Sequence, residues 1–319
     1  MTDPIPTSAT PGASATAPHD AAQDRDALAR FLLPGAGVRG VRVHLDDAWA
    51  QIRARATDVP ASAVELLGEA AAAAALFTGH AKVDGRLSVQ LRGTGALRTL
   101  FAECTAAGTL RGIAQVEAGT TPARDLRAMG DGAILAITIE NPAAPGREPV
   151  RYQGLVPLES DSLAGAFEDY FRQSEQLPTR ILLAADDRRA AGLMLQKLPG
   201  DAGDDDGWNR AGALFDTLSQ AELLDWPAAT LLHRLFHEEA PQAMGERPLR
   251  FGCSCSRERV GAMLHSLGRD EAEAAAAANG GEVHVRCEFC GQSYEFDPDE
   301  IEALFATPDQ TIEAPPSLQ

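Results

Sequence analysis

Phe251-Gly252-Cys253-Ser254-Cys255-Ser256-Arg257-Glu258-Arg259, FGCSCSRER, sets two thiols one residue apart, and RCEFCG (Arg286–Gly291) sets two more with two residues between them. These are four of only five cysteines in the chain. Their reading decides the architecture. Four unrelated buried thiols would belong to a larger core, whereas two pairs closing on one ion define a small domain of their own. A tetrahedral zinc site takes four soft, deprotonated ligands at a Zn–S distance of about 2.3 Å. Two local pairs provide them with little loop entropy to overcome. The second pair has the knuckle form Cys-x-x-Cys-Gly, where Gly291 can take a positive φ as the chain turns beneath a metal. Cys253, Cys255, Cys287 and Cys290 are therefore the candidate zinc ligands, for one ion per chain.

The segments around the pairs fit a compact module. SRERVGAMLHSLG and RDEAEAAAAANGG predict two helices, the second rich in alanine and stopped by Asn279-Gly280-Gly281. EVHVRCEFCGQSYEF predicts a hairpin, and PDEIEALFA a helix packing on it through Ile301, Leu304 and Phe305. His265 and His284 lie nearby, but four thiolates complete the ligand set, so both are expected at exposed positions. Cys104, in LFAEC, is expected to be a lone, partly buried thiol. A structural zinc site brings about 10–16 kcal/mol at neutral pH, comparable with the whole stability of an ordinary domain at about 5–15 kcal/mol. Metal loss should therefore unfold a module with so little core. The bound thiolates are also the form that oxidants attack, and Arg257 and Arg259 add positive charge beside the first pair.

Upstream, GVRGVRVHL (Gly37–Leu45) alternates as a strand, while DDAWAQIRARA and PASAVELLGEAAAAAALFTGHAKV predict helices. Strand-like runs follow in RLSVQLRG, LRTLFAEC, LRGIAQVEA, GAILAITIE and RYQGLVPLE, most of them bounded by Gly or Pro. A helix is predicted from Asp161 to about Ser174, then the strands TRILLAAD and AAGLMLQKL. Strands grouped around a few helices without βαβ alternation indicate an α+β fold. The acidic, Gly-rich PGDAGDDDGWN (Pro199–Asn209) marks a boundary. Beyond it, Ser219 and Glu222 form a capping box, and Pro227 suits the first turn of a helix carrying Leu231, Leu232, Leu235 and Phe236. That helix ends among two glutamates, where its dipole disfavours negative charge. The division is thus a disordered tail (1–23), a large N-terminal sheet domain (24–198), a marginally stable helical linker (199–250), a small C-terminal zinc-binding domain (251–307) and a second disordered tail (308–319).

The totals exclude several classes. With 28 basic against 46 acidic residues the net charge is −18 and the pI about 4.8, which repels a nucleic acid in the absence of a segregated basic patch. The N-terminal stretch has no apolar export core. GEAAAAAALFTG is too short for a span of about 20 apolar residues. The expected compartment is the cytoplasm, where clustered cysteines point to metal or redox chemistry rather than to a disulfide frame.

The chain resembles the heat shock protein 33 (HslO) family of redox-regulated chaperones. The likeness rests on CSCSRER with CEFCGQSYEF, on RYQGLVPLESDSLAGAFEDYFRQSEQLPTR (Arg151–Arg180), and on AGLMLQ, LLHRLFHEE and GVRG. It extends from about Asp24 to Phe305; the long N-terminal tail, the acidic GDDDGW and the alanine-rich segment between the pairs depart from the family pattern. The resemblance implies a non-enzymatic, ATP-independent holdase. In its reduced, inactive state the four cysteines bind zinc. Oxidation forms the Cys253–Cys255 and Cys287–Cys290 disulfides, zinc leaves, the adjacent linker unfolds, and the dimeric active form captures unfolding clients for later transfer to ATP-dependent foldases. Two rivals compete: a zinc-ribbon nucleic-acid binder, which the charge opposes, and a thiol-disulfide oxidoreductase using Cys287 and Cys290, which the second cysteine pair and the knuckle context oppose.

Overall fold

The computed structural model describes residues 25–143, 148–200 and 202–306. The two expected tails, 1–23 and 308–319, lie outside the described residues. The fold is α+β, built on two sheets. One runs in the order β10 (Gln242–Pro248), β1 (Ala27–Leu33), β2 (Val38–Leu45), β9 (Ala190–Lys197), β8 (Thr179–Ala185). The other runs β11 (Arg250–Phe251), β5 (Thr109–Val116), β4 (Leu97–Thr105), β3 (Arg86–Arg92), β6 (Ile134–Asn141), β7 (Val150–Val156). Every pairing is antiparallel except β11 with β5.

Helix α1 (Asp47–Arg53) leads to the helix that organises the core, α2 (Ala61–His80), which lies between the sheets. It packs on β3, β4 and β5 on one side and on β2, β8 and β9 on the other. A helix enclosed in this way must be apolar all round, and Leu66 through Thr78 are buried without a break. The run Ala70–Ala75 keeps it thin enough for both sheets to close on it. At Gly68 the fit is tightest: a Cβ there would stand 2.5 Å from the Ala185 methyl. The apolar run proves longer than expected, because α2 has 20 residues and could span a bilayer by length and composition. Burial decides the matter instead: 78% of its most apolar window is inside the protein. Phe77 meets Phe167 and Phe171 edge-to-face, at centroid distances of 4.8 and 5.4 Å. Those two rings come from α3 (Leu163–Tyr170), capped by Ser162, and from its π-helical extension Phe171–Glu175.

The segment expected as a helical linker contains α4 (Gly207–Phe215), α5 (Gln220–Asp225) and α6 (Ala228–Phe236). The Ser219–Glu222 capping box is present, and Pro227 stands at the N-cap of α6, one residue before its first turn. Two expectations are corrected. The segment is not helical throughout, since Gln242–Pro248 forms β10 and pairs with β1 through a bulge at Arg30/Phe31. Nor are both glutamates after α6 left against its dipole: Glu239 is buried and accepts from the Arg210 guanidinium at 2.8 Å. These helices cover the outer face of the five-stranded sheet. Leu223, Leu224, Leu231, Leu235 and Phe236 pack on Phe31, Leu33, Val38, Leu193 and Leu195, with Phe236 stacked on Phe31 at 6.1 Å. Three side chains of the sheet domain and linker tie the backbones together: Arg42 donates to the Trp226 carbonyl at 2.6 Å, Arg189 to that of Leu224 at 3.0 Å, and Gln220 to that of Leu183 at 3.0 Å.

Truncating the fully buried Phe236 to alanine should cost about 3–5 kcal/mol of linker docking. Limited proteolysis of the reduced protein should then cut between α4 and α6 far faster than in the parent chain, while Leu267→Ala, at a side chain 57% exposed, should leave the cutting rate unchanged.

A candidate metal centre on the C-terminal domain

After β11 the chain enters α7 (Arg257–Leu267), whose N-cap Ser256 accepts from the Arg259 amide at 3.3 Å. The first cysteine pair therefore sits in the extended entry to a capped helix. Gly268 turns the corner into α8 (Arg269–Ala278), and a hairpin of β12 (Val283–Arg286) and β13 (Ser293–Phe296) leads to α9 (Pro298–Ala306). Val260, Leu264, Ala272, Ala276, Val283, Phe296 and Ile301 form the buried core of this unit. It is a small core, as the short elements dictate. The second pair occupies the hairpin turn. There the Cys287 amide donates to the Gln292 carbonyl and the Gly291 amide to the Cys287 carbonyl, both at 2.8 Å, and Gly291 takes φ +75°. That is the positive-φ turn the Cys-x-x-Cys-Gly spacing predicts.

The fold brings the four thiols together, all Sγ atoms lying within 4.8 Å of one another. Cys253 and Cys287 approach to 3.7 Å, Cys255 and Cys290 to 3.3 Å. Four sulfurs around one tetrahedral ion at 2.3 Å have edges of about 3.8 Å, so the set can close on a metal ion with small shifts. All four are half-buried and none is disulfide-bonded. His265 and His284 are exposed. Cys104 lies apart on β4 and is fully buried rather than partly so, and burial pushes its thiol up to about 11.

Two residues that sequence reasoning passed over shape the electrostatics. Tyr294 donates its hydroxyl to Cys255 Sγ at 3.1 Å. Partial burial works against ionisation of Cys255, but this bond and the neighbouring sulfurs bring it down to about 7. Burial pushes Cys253 up, and Cys290 to about 12. Of these three thiols Cys255 is thus the first to ionise. Arg111 is the second residue. Burial alone would lower its guanidinium, but Glu103 and then Cys253 outweigh that effect. Of the two arginines expected beside the first pair, Arg259 stays next to it and Arg257 is engaged elsewhere. Arg257 pairs with Glu300 and lies over the Phe296 ring, and Arg259 donates to the Ser254 carbonyl. Tyr294 was findable: in the register Val283↔Phe296 and Val285↔Tyr294 it shares a face with the buried Phe296. No local signal pointed to Arg111, which is far away in sequence.

The knuckle also touches the sheet domain. Phe289 meets Phe101 edge-to-face at 5.5 Å and lies under the Arg111 guanidinium at 4.3 Å. Gln115 donates to the Glu288 carboxylate at 3.1 Å, and Arg55 to the Cys290 carbonyl at 3.2 Å. Arg55 itself covers the Phe251 ring.

Replacing Tyr294 by phenylalanine should move the Cys255 midpoint up from about 7 toward an ordinary thiol value of about 8.5, as read from thiolate absorbance in metal-free protein. The sign for stability follows. A folded-state value below the unfolded one stabilises the metal-free fold above the unfolded pKa, and this contribution is lost as pH falls through about 7. The variant should show a weaker fall in melting temperature across that window.

A family model described as Hsp33 protein matches residues 26–297. The 33 kDa chaperonin of Ectopseudomonas mendocina is 44% identical over 283 residues, covering 87% of this chain and 94% of that protein. The 33 kDa chaperonin of Azotobacter vinelandii is 43% identical over 289 residues, covering 89% and 95%. The crystal structure of the Thermotoga maritima 33 kDa chaperonin, a heat shock protein 33 homolog, superposes with a TM-score of 0.71 at 21% identity, covering 88% of this chain and 97% of that one, and so shares the fold. The match runs from the first strand of the sheet domain to the end of the cysteine-bearing hairpin, and the chain belongs to the Hsp33 family.

Proposed function

We propose that this chain is a redox-regulated holdase whose switch is one zinc ion held by Cys253, Cys255, Cys287 and Cys290. The observation that carries the reading is the sulfur cluster, spaced for a tetrahedral ion in a unit with a small core of its own. Zinc suits it because soft thiolate sets select zinc among the common divalent ions. The ion, when bound, supplies the cross-link that keeps both pairs ionised and together. The chain's residues do the rest: Tyr294 and Arg111 stabilise negative sulfur, and the knuckle presses against β4 and β5. The working units are the sheet domain 24–198, the linker 199–250 and the zinc domain 251–307.

Oxidation converts four thiolates to two disulfides and releases four electrons. Two equivalents of peroxide accept them and leave as water, or two of hypochlorous acid, which leave as chloride and water. The proposed bonds are Cys253–Cys255 and Cys287–Cys290. Sulfur contacts of 3.7 and 3.3 Å cross between the pairs, but they need the folded unit to hold both pairs together, whereas each local pair stays adjacent along the chain once the unit opens. Loss of the metal removes more stabilisation than a unit this small can replace. The linker then separates from β1, β2 and β9, and the apolar surface so exposed binds unfolding proteins, at about 25 cal/mol per Å² buried. The active form is a homodimer in the cytoplasm that passes clients to ATP-dependent foldases, and it performs no catalysis of its own.

Reduced protein should contain one zinc per chain and fail to protect a heat-labile client such as citrate synthase. Peroxide with mild heat should release the zinc, yield the two local disulfides on peptide mapping, and switch on protection that dithiothreitol reverses. Equal protection by the reduced, zinc-loaded and the oxidised forms would sink the proposal. Cys287→Ser should lower zinc content to well under half and leave the linker protease-sensitive even when reduced.

A further inference from the structure

The contact between the knuckle and the sheet domain has the form of a ligand in a site. Glu288-Phe289 is the x-x of Cys-x-x-Cys, and neither side chain is needed to hold an ion. Yet Phe289 sits between the Phe101 ring and the Arg111 guanidinium, and Glu288 accepts from Gln115. The receiving residues share one face of the sheet, since Phe101 pairs with Ile113 and Glu103 with Arg111 in the β4–β5 register. That face points away from α2, because the intervening Leu100, Ala102 and Cys104 are buried in the core around that helix. β11 pairs along the edge of β5 only at Thr109 and Leu110. The knuckle stands beside the next stretch, where Arg55, Ala56, Gly112, Ile113 and Gln115 border an open cleft with Glu288.

We propose that this face of β4 and β5 is a binding site for protein segments that present an acidic residue followed by an aromatic one in a tight turn, and that Glu288-Phe289 is its built-in occupant in the reduced protein. The inference rests on the holdase reading and deepens it by naming a client site distinct from the surface under the linker. The occupant's chemistry is specified by what receives it. A ring is held edge-on by Phe101 and face-on by Arg111, and a carboxylate is held by the Gln115 amide. Arg55 and Arg111 flank the site on two sides, and Arg111 is held in place by Glu103 at 2.9 Å. Departure of the occupant is tied to the thiols. A Cys287–Cys290 disulfide draws its sulfurs to about 2.0 Å, re-aiming the Phe289 ring between them and the Cys290 carbonyl that Arg55 holds.

The probe is a fluorescein-labelled peptide of the sequence Arg286–Phe296 with serine at both cysteine positions, and a second version with alanine in place of the phenylalanine. Fluorescence anisotropy on the full chain should show oxidised protein binding the first peptide at least fivefold more tightly than the second. Reduced, zinc-loaded protein should bind neither, whereas reduced, zinc-loaded Phe289→Ala should bind the first. Oxidised Phe101→Ala should lose at least fivefold, as should Phe101→Leu if the alanine variant fails to fold. Equal affinity of oxidised protein for both peptides, or an unchanged affinity in the folded Phe101 variants, overturns the site. Client protection measured on the same samples separates the two ideas: protection without peptide discrimination defeats this inference and leaves the holdase reading standing. Discrimination without protection does the reverse.

Discussion

A sheet with apolar side chains on both faces has to be covered twice, and this requirement governs the molecule. The six-stranded sheet has one apolar face, which α2 fills. The five-stranded sheet has two. Val41 and Val43 of β2 face the helix, while Phe31, Leu33, Val38, Leu193 and Leu195 face the other way and are covered by the linker helices. The linker is therefore the outer layer of a three-layer stack rather than a tether between domains. Its own helices are short, and helices of this length are marginal alone in water. They are stable because the sheet needs them, and the sheet is soluble because they are there.

The C-terminal unit meets this stack at a different place. It touches the other sheet, at β4 and β5, through an aromatic ring and a few hydrogen bonds. Among the described residues, the unit that carries the sulfurs thus has no large contact with the linker helices it is proposed to control. Coupling has to travel along the chain, through β10 and β11, and through the shared footing of both units on the sheet domain. This favours a switch worked by order and disorder of a segment over one worked by a rigid lever.

Much of this could be read in the sequence. Strands β3 to β9 declare themselves because they are short apolar runs, most of them bounded by Gly or Pro, and the helix α2 because its apolar run exceeds any strand. The four candidate ligand positions follow from spacing alone, since short-range chelation is a local property. What stayed hidden was non-local. β1, ALARFLL, buries Leu28 on one face and Phe31 and Leu33 on the other, so it shows little alternation. β10, QAMGERP, is an edge strand with mostly exposed side chains and a proline at its end, where an edge tolerates one, so it looked like loop. Arg111 and Phe101 could not be connected to the cysteines, because only the folded sheet brings residues so distant in sequence against the knuckle. The full burial of Cys104 is likewise a consequence of α2 lying above it.

A single residue, Leu249, separates β10 from β11 and so joins the two sheets. It is buried, and its amide donates to the Asp26 carbonyl at 2.6 Å. A junction this short has no slack. Strain on either strand reaches the other without being absorbed by intervening chain, so the edges of both sheets should loosen as one event. The molecule's two halves are wired in series at this corner, and the order in which they fail is set by whichever strand lets go first.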